Sequence, residues 1–212
     1  MKIIETNGIT YLESLGASEN WYWGTDYIMG DLYEAEEVYN AGTDFKPNRL
    51  IFVHYPDGEI FEPIRAEKNQ YLGLPAYIEG VIYILLVDFD KKLIRLFQCS
   101  SDLNDIYVKA EIPLDEVKDC YNLNINGSPV MVTRQGAENL FQVIWPEKVN
   151  FAIGERESFI NRVGDSLYFS EWYEDEEYRE EVNIREFATG NLIEKMDGTF
   201  FSLKNNVNWI LK

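Results

Sequence analysis

The sequence predicts an all-β chain assembled from small antiparallel sheets, and three observations carry that expectation. Aromatic residues make up 15% of the 212 positions, with 14 Tyr, 12 Phe and 5 Trp, a composition that suits pleated, half-buried surfaces. Two segments align without gaps at an offset of 132: LIFVHYPDGEIFEPI (Leu50–Ile64) over VNIREFATGNLIEKM (Val182–Met196). In both, a strand runs into Asp-Gly or Thr-Gly and out into a second strand. Gly58 and Gly190 coincide, and glycine there supplies the positive φ of a tight hairpin turn. Third, a short strand, a Gly or Asn and an apolar strand recur around Gly30, Gly80, Gly127, Gly164 and Asn206, spaced 50, 47, 37 and 42 residues apart. Periods of this length with several strands each point to a radial β array rather than a helical solenoid.

The elements follow in order. One group of strands covers Tyr27–Gly30, Leu32–Tyr39, Leu50–Tyr55 and Glu59–Ile64. The next covers Ala76–Gly80, Val81–Phe89, Leu93–Cys99 and Ile106–Ile112. A third covers Tyr121–Asn126, Pro129–Thr133, Leu140–Trp145 and Val149–Ile153. The fourth covers Phe159–Val163, Ser166–Trp172, Val182–Phe187 and Asn191–Met196. Two pairs remain, Ile3–Thr6 with Ile9–Leu12 and Thr199–Leu203 with Asn208–Leu211. They make a fifth group if the two ends share a sheet, an arrangement that removes open edges. The segment EWYEDEEYREEVNIREF (Glu171–Phe187) holds favourable i,i+4 pairs, Asp175 with Arg179 and Glu181 with Arg185. Val182, Ile184 and Phe187 fall on no single helical face, however, so extended structure is expected on both sides of an acidic tip.

Period, turn placement and end closure over nearly the whole chain resemble the β-propeller superfamily, as a five-bladed ring closed by N- and C-terminal strands in one blade. The alternative fold is an antiparallel sandwich or barrel. No repeated Trp-Asp dipeptide, kelch double glycine or SxDxGxTW box is present. The resemblance implies one domain over 1–212 and a site in the funnel or on an end surface. Because five-bladed relatives include lectins and glycoside hydrolases, it selects no chemistry.

Charge narrows the partners. The formal net charge is −18, divided as −8, −4 and −6 over residues 1–70, 71–150 and 151–212. Such a field repels nucleic acid and anionic membrane surfaces. A basic protein, or a neutral small molecule such as a sugar, stays compatible with it. The first residues lack the continuous apolar core of a signal peptide. The longest apolar run, VIYILLV (Val81–Val87), is too short to span a bilayer. With Cys99 and Cys120 outside any CxxC motif, a cytoplasmic protein with reduced thiols is expected.

No motif for phosphate, dinucleotide or zinc hydrolase chemistry occurs, and neither a cofactor nor a metal is expected. The single His54 aligns with Glu186 and reads as a surface residue. The acidic runs at Tyr33–Glu37 (YEAEE) and Tyr173–Glu177 (YEDEE) read as solvated tips that discourage strand association. The richest stretch is NWYWGTDY (Asn20–Tyr27). Consecutive aromatics alternate faces in a strand, so a ring is expected outside the core, able to stack on a sugar or clasp a peptide side chain. The candidate ligand-binding set is Trp21, Tyr22, Trp23, Asp26, Tyr77 and Glu79, and a non-catalytic binding protein is the leading expectation. The alternative is a glycoside hydrolase-like enzyme working through paired carboxylates, for which Asp26, Glu79 and Asp165 are the least arbitrary choice.

Overall fold

The computed structural model describes residues 2–28, 30–100, 102–174, 178–202 and 207–212. The chain divides into two compact units, Met1–Cys120 and Tyr121–Lys212. Strands dominate both, every sheet is antiparallel and none closes on itself, so the all-β class holds. No helix among the described residues is long and apolar enough to cross a membrane.

In the first unit, β1 (Glu13–Ser14), β2 (Trp21–Thr25), β3 (Leu50–His54) and β4 (Ile60–Phe61) form one sheet in that order. Trp21 and Trp23 point from β2 into a core with Leu50 and Phe52 of β3. Tyr22 pairs with Val53 on the opposite face, where Ile51 and Val53 are covered by Ile4, Ile9 and Leu12 of the N-terminal segment. A second sheet is built on β7 (Val81–Asp88), which pairs with β5 (Gln70–Leu72), β6 (Ala76–Ile78) and β8 (Leu93–Cys99); β9 (Ile106–Pro113) pairs with β8. Ile82, Ile84 and Leu86 of β7 join the Trp21–Trp23 core. Tyr83, Leu85 and Val87 are buried as well, which is why this strand reads as an unbroken apolar run instead of an alternating one. Gln70 and Lys91 hold the buried carboxylate of Asp88 at 2.8 and 3.1 Å.

Between β2 and β3 lies α1 (Leu32–Asn40), where a strand over Leu32–Tyr39 was expected. The Asp31 carboxylate accepts the Glu34 N–H at 2.9 Å, and Glu34 accepts the Asp31 N–H at 2.7 Å. This reciprocal capping box starts a helix in which Leu32, Glu34, Ala35, Glu36 and Glu37 are strong helix formers. Leu32, Ala35 and Glu36 form the buried stripe, and the Glu36 carboxylate accepts the Cys120 N–H at 2.6 Å. YEAEE is thus helical, whereas Tyr173 and Glu174, the described part of YEDEE, are strand. Of the expected strand Tyr27–Gly30, the described residues Tyr27, Ile28 and Gly30 are not strand; the aromatic cluster itself supplies β2.

In the second unit, β10 (Leu123–Asn126), β11 (Met131–Gly136), β12 (Leu140–Trp145) and β13 (Val149–Ala152) form one four-stranded meander. Then β14 (Glu157–Val163), β15 (Ser166–Glu174), β16 (Tyr178–Glu186) and β17 (Leu192–Asp197) form another. Met131, Phe141 and Val143 from the first meander meet Leu167, Phe169 and Phe187 from the second in a shared core. Glu171–Glu174 and Tyr178–Glu186 are extended, with Glu174 paired to Tyr178; Asp175–Glu177 of the acidic tip lie outside the described residues.

The two aligned hairpins share their turn chemistry. The Gly58 N–H donates to the His54 carbonyl at 2.7 Å, and the Gly190 N–H to the Glu186 carbonyl at 2.8 Å. Asp57 Oδ1 accepts the Glu59 N–H at 2.9 Å, as Thr189 Oγ1 accepts the Asn191 N–H at 3.1 Å. Gly58 and Gly190 sit at φ +68° and +72°, values at which any side chain is strained. His54 is the last residue of β3, its Nδ1 2.6 Å from the Asp57 carboxylate.

The terminal blade does not form. Among the described residues, β18 (Thr199–Ser202) and β19 (Asn208–Leu211) pair only with each other, and Ile3–Thr6 and Ile9–Leu12 are not strands. Both ends instead cover a sheet face. Phe200 and Ile210 pack on Val182 and Ile184, much as Ile9 packs on Ile51 and Val53. Asn206 and Leu203 lie outside the described residues.

A chain of ion pairs lines one end of the second meander. Lys195 Nζ lies 2.8 Å from Glu171 and 2.6 Å from Glu181. Burial works to raise the Glu171 pKa, but hydrogen bonds from Lys195, Asn183 and Tyr173 outweigh it and hold it below its ordinary value. The Lys195 hydrogen bond likewise lowers Glu181. A depressed carboxyl pKa adds stability that is complete above the unfolded-chain value, about 4.3 for Glu. That stability is lost as pH falls through the lower folded value. The second unit is expected to lose thermal stability on acidification below about pH 4.3, and Lys195→Met is expected to flatten that dependence. Melting temperatures measured from neutral to acidic pH check it; parallel curves for parent and variant would refute it.

Candidate functional site

The N-terminal segment crosses β2 closely because Gly24 carries no side chain. A Cβ there would stand 2.6 Å from the Tyr11 carbonyl oxygen, 2.8 Å from Ile9 and 2.9 Å from Leu12. Beside this crossing is a hollow of about 310 Å³, lined by Gly8–Tyr11, Glu13 and Trp23–Tyr27, within the range of small-ligand sites. Its side chains include two carboxylates, Glu13 and Asp26, two phenols, Tyr11 and Tyr27, and the wall of Trp23. No basic residue lines it.

The rim is held in place by its neighbours. Asp26 Oδ1 accepts the Arg49 N–H at 3.0 Å. The Arg49 guanidinium makes a two-pronged ion pair with Glu62 at 3.2 and 3.0 Å and donates to the Asn7 carbonyl at 3.0 Å, so that cation already has carboxylate and carbonyl partners. Tyr27 holds a left-handed backbone at φ +44°, an uncommon conformation that recurs at functional sites. Its phenol pKa is raised, first by burial and then by the charges of Glu13 and Tyr11. The hollow is thus a place of negative potential where acceptor oxygens and π faces meet.

The structure separates the six expected ligand-binding residues. Trp23 and Asp26 line the hollow. Trp21 is 6% exposed, packed edge-on against His54 and Phe61 at centroid distances of 4.8 and 5.4 Å. Tyr22 faces the other side, at a shallower depression of about 250 Å³ with Ile4, Leu12 and Val53. Tyr77 packs against the core. Glu79 is exposed in the β6–β7 turn at φ +52°. Of the carboxylates weighed for hydrolysis, Asp26 lines the hollow while Glu79 and Asp165 do not. Glu13 takes the place beside it.

Tyr11, Glu13 and Tyr27 were not among the expected residues. Tyr27 ends the quoted aromatic stretch but read as the start of a strand. Tyr11 and Glu13 sit in a segment whose role depends on Gly24, ten or so residues further on, which no local pattern exposes. Among the described residues, no group of three or more His, Cys, Asp or Glu could hold a metal ion. Compared with models of known protein families and with curated proteins, the sequence matches none.

Proposed function

We propose that the chain is a non-catalytic binding protein whose first unit receives a cationic side chain of a basic protein partner in the hollow beside Gly24. The observation that supports this most is the lining itself: Glu13 and Asp26 with Tyr11 and Tyr27, and no basic residue among them. A Lys or Arg entering there meets two carboxylates and aromatic faces, and a cation gains from both. The overall charge of −18 speeds the encounter. The reading rests on the first unit alone and needs no ring of blades. What supports a propeller-like arrangement is narrower: β10–β13 and β14–β17 each run up and down in sequence order, as the strands of a blade do.

The test is a Trp-fluorescence titration of the full chain with a Lys/Arg-rich peptide at several salt concentrations. Affinity is expected to fall steeply as salt rises. Replacing Glu13 by Gln and Asp26 by Asn together should cost about tenfold or more. Affinity that is flat in salt and unchanged in the double variant would overturn the reading. Turnover of chromogenic glycosides by the parent, lost in the double variant, would replace it with paired-carboxylate hydrolysis.

A further inference from the structure

The second unit holds a different kind of cleft. It has a volume of about 150 Å³ and lies where β10, an edge strand, approaches β14, the edge strand of the next meander. Asn122, Asn124 and Asn126 contribute to one wall. Asn124 and Asn126, two apart on β10, put two amides on one face, while Leu123 and Ile125 are buried on the other; Asn122, in the turn before the strand at φ +48°, adds a third amide that donates to the Gln135 carbonyl at 3.4 Å. Thr133 and Gln135 of β11 continue that wall, Ser158 comes from β14, and Phe141 and Phe159 supply the apolar surface. None of the lining residues is charged, in a chain with 26% charged residues.

Part of this polar wall is fixed and part is unspent. Gln135 Nε2 donates to the Glu157 carbonyl at 2.8 Å, and its Oε1 accepts the Phe159 N–H at 2.8 Å. Both ends of that amide are tied across the cleft. Asn126 Nδ2 donates to Thr133 Oγ1 at 2.6 Å, which orients the hydroxyl and leaves its proton to donate elsewhere. The Asn124 amide is half-buried and makes no hydrogen bond to the described residues.

We propose that this cleft binds a single neutral sugar ring. An amide offers a donor and an acceptor a fixed distance apart, which suits neighbouring hydroxyl groups that each do both. A cavity of about 150 Å³ elsewhere admits one six-membered ring. The absence of charge in the lining selects against sugar acids and phosphates, and Phe159 offers a surface to the C–H face of the ring. The proposal is independent of the groove in the first unit.

The experiment titrates the ¹⁵N-labelled full chain with glucose, galactose, mannose and N-acetylglucosamine, one at a time, and with glucuronic acid as the charged contrast. At least one neutral sugar is expected to shift the side-chain amide signals of Asn122, Asn124 and Asn126 saturably. Asn124→Ala should then weaken binding about tenfold, the loss of a well-placed hydrogen bond. Ser158→Ala, at an exposed position, is a second variant should the first fold poorly. No shift with any neutral sugar overturns the proposal, as do shifts that keep full affinity in both variants. Shifts that vanish instead in Glu13→Gln would also overturn it, since they would assign the sugar to the first unit.

Discussion

Arg185→Met is expected to destabilise the second unit by about 3–5 kcal/mol, because it strands a carboxylate in the interior. Glu157 is 4% exposed and faces Arg185 in a two-pronged contact, Nε to Oε1 at 3.0 Å and Nη2 to Oε2 at 2.8 Å. Asn183 also donates to it at 2.6 Å, and Arg185 Nη1 reaches the Gly190 carbonyl at 2.8 Å. One guanidinium thereby neutralises a buried acid and holds the β16–β17 turn. Without it Glu157 is a buried anion with only neutral donors, and nothing offsets the cost of keeping that charge from water. Urea unfolding of parent and variant measures the loss. Adding Glu157→Gln should recover part of it, since the variant then buries a neutral amide. The exposed pair Lys68–Asp44, 65% and 62% exposed, is the internal contrast: water screens both charges, so Lys68→Met should have far the smaller effect. An Arg185→Met loss no larger than that would mean water reaches Glu157.

The difference between these two pairs is invisible in the sequence, where both are simply opposite charges. What the sequence does carry is local repetition and run length. Leu93–Cys99, Leu140–Trp145 and Asn208–Leu211 end where their apolar patterns end. The hairpins at Gly58 and Gly190 were legible because positive φ demands a particular residue at one position. The helix α1 was also legible, in the Asp31–Glu34 spacing of a capping box, but the acidic likeness to Tyr173–Glu177 overrode it. β5 is three residues long, below what alternation can reveal. The terminal blade failed for another reason. Phe200 and Ile210 lie on strands and Ile9 and Leu12 do not, yet all four cover a sheet face, and which face lies bare is a tertiary fact.

The same limit applies to the aromatic cluster. Alternation correctly splits Trp21 and Trp23 from Tyr22, but which face meets the core depends on β3 and β7, distant in the chain. Trp21→Ala is therefore expected to act on folding rather than on binding. Its ring is buried with Leu50, Phe52 and Ile84, and deleting a large buried aromatic side chain costs about 3–5 kcal/mol. Chemical denaturation should show that loss for Trp21→Ala. Tyr11→Ala, at a position 68% exposed, should leave stability within about 0.5 kcal/mol. Binding of the basic peptide is expected to reverse the order: Tyr11→Ala weakens it, while Trp21→Ala, measured where the variant is still folded, matches the parent. The opposite pattern, a stable Trp21→Ala that no longer binds, would move the site to the far side of β2 and empty the hollow of its meaning. The two residues lie at opposite ends of β2, Trp21 within it and Tyr11 against Gly24, and they answer to different forces, Trp21 to the exclusion of water from a core and Tyr11 to the charge of whatever enters from outside.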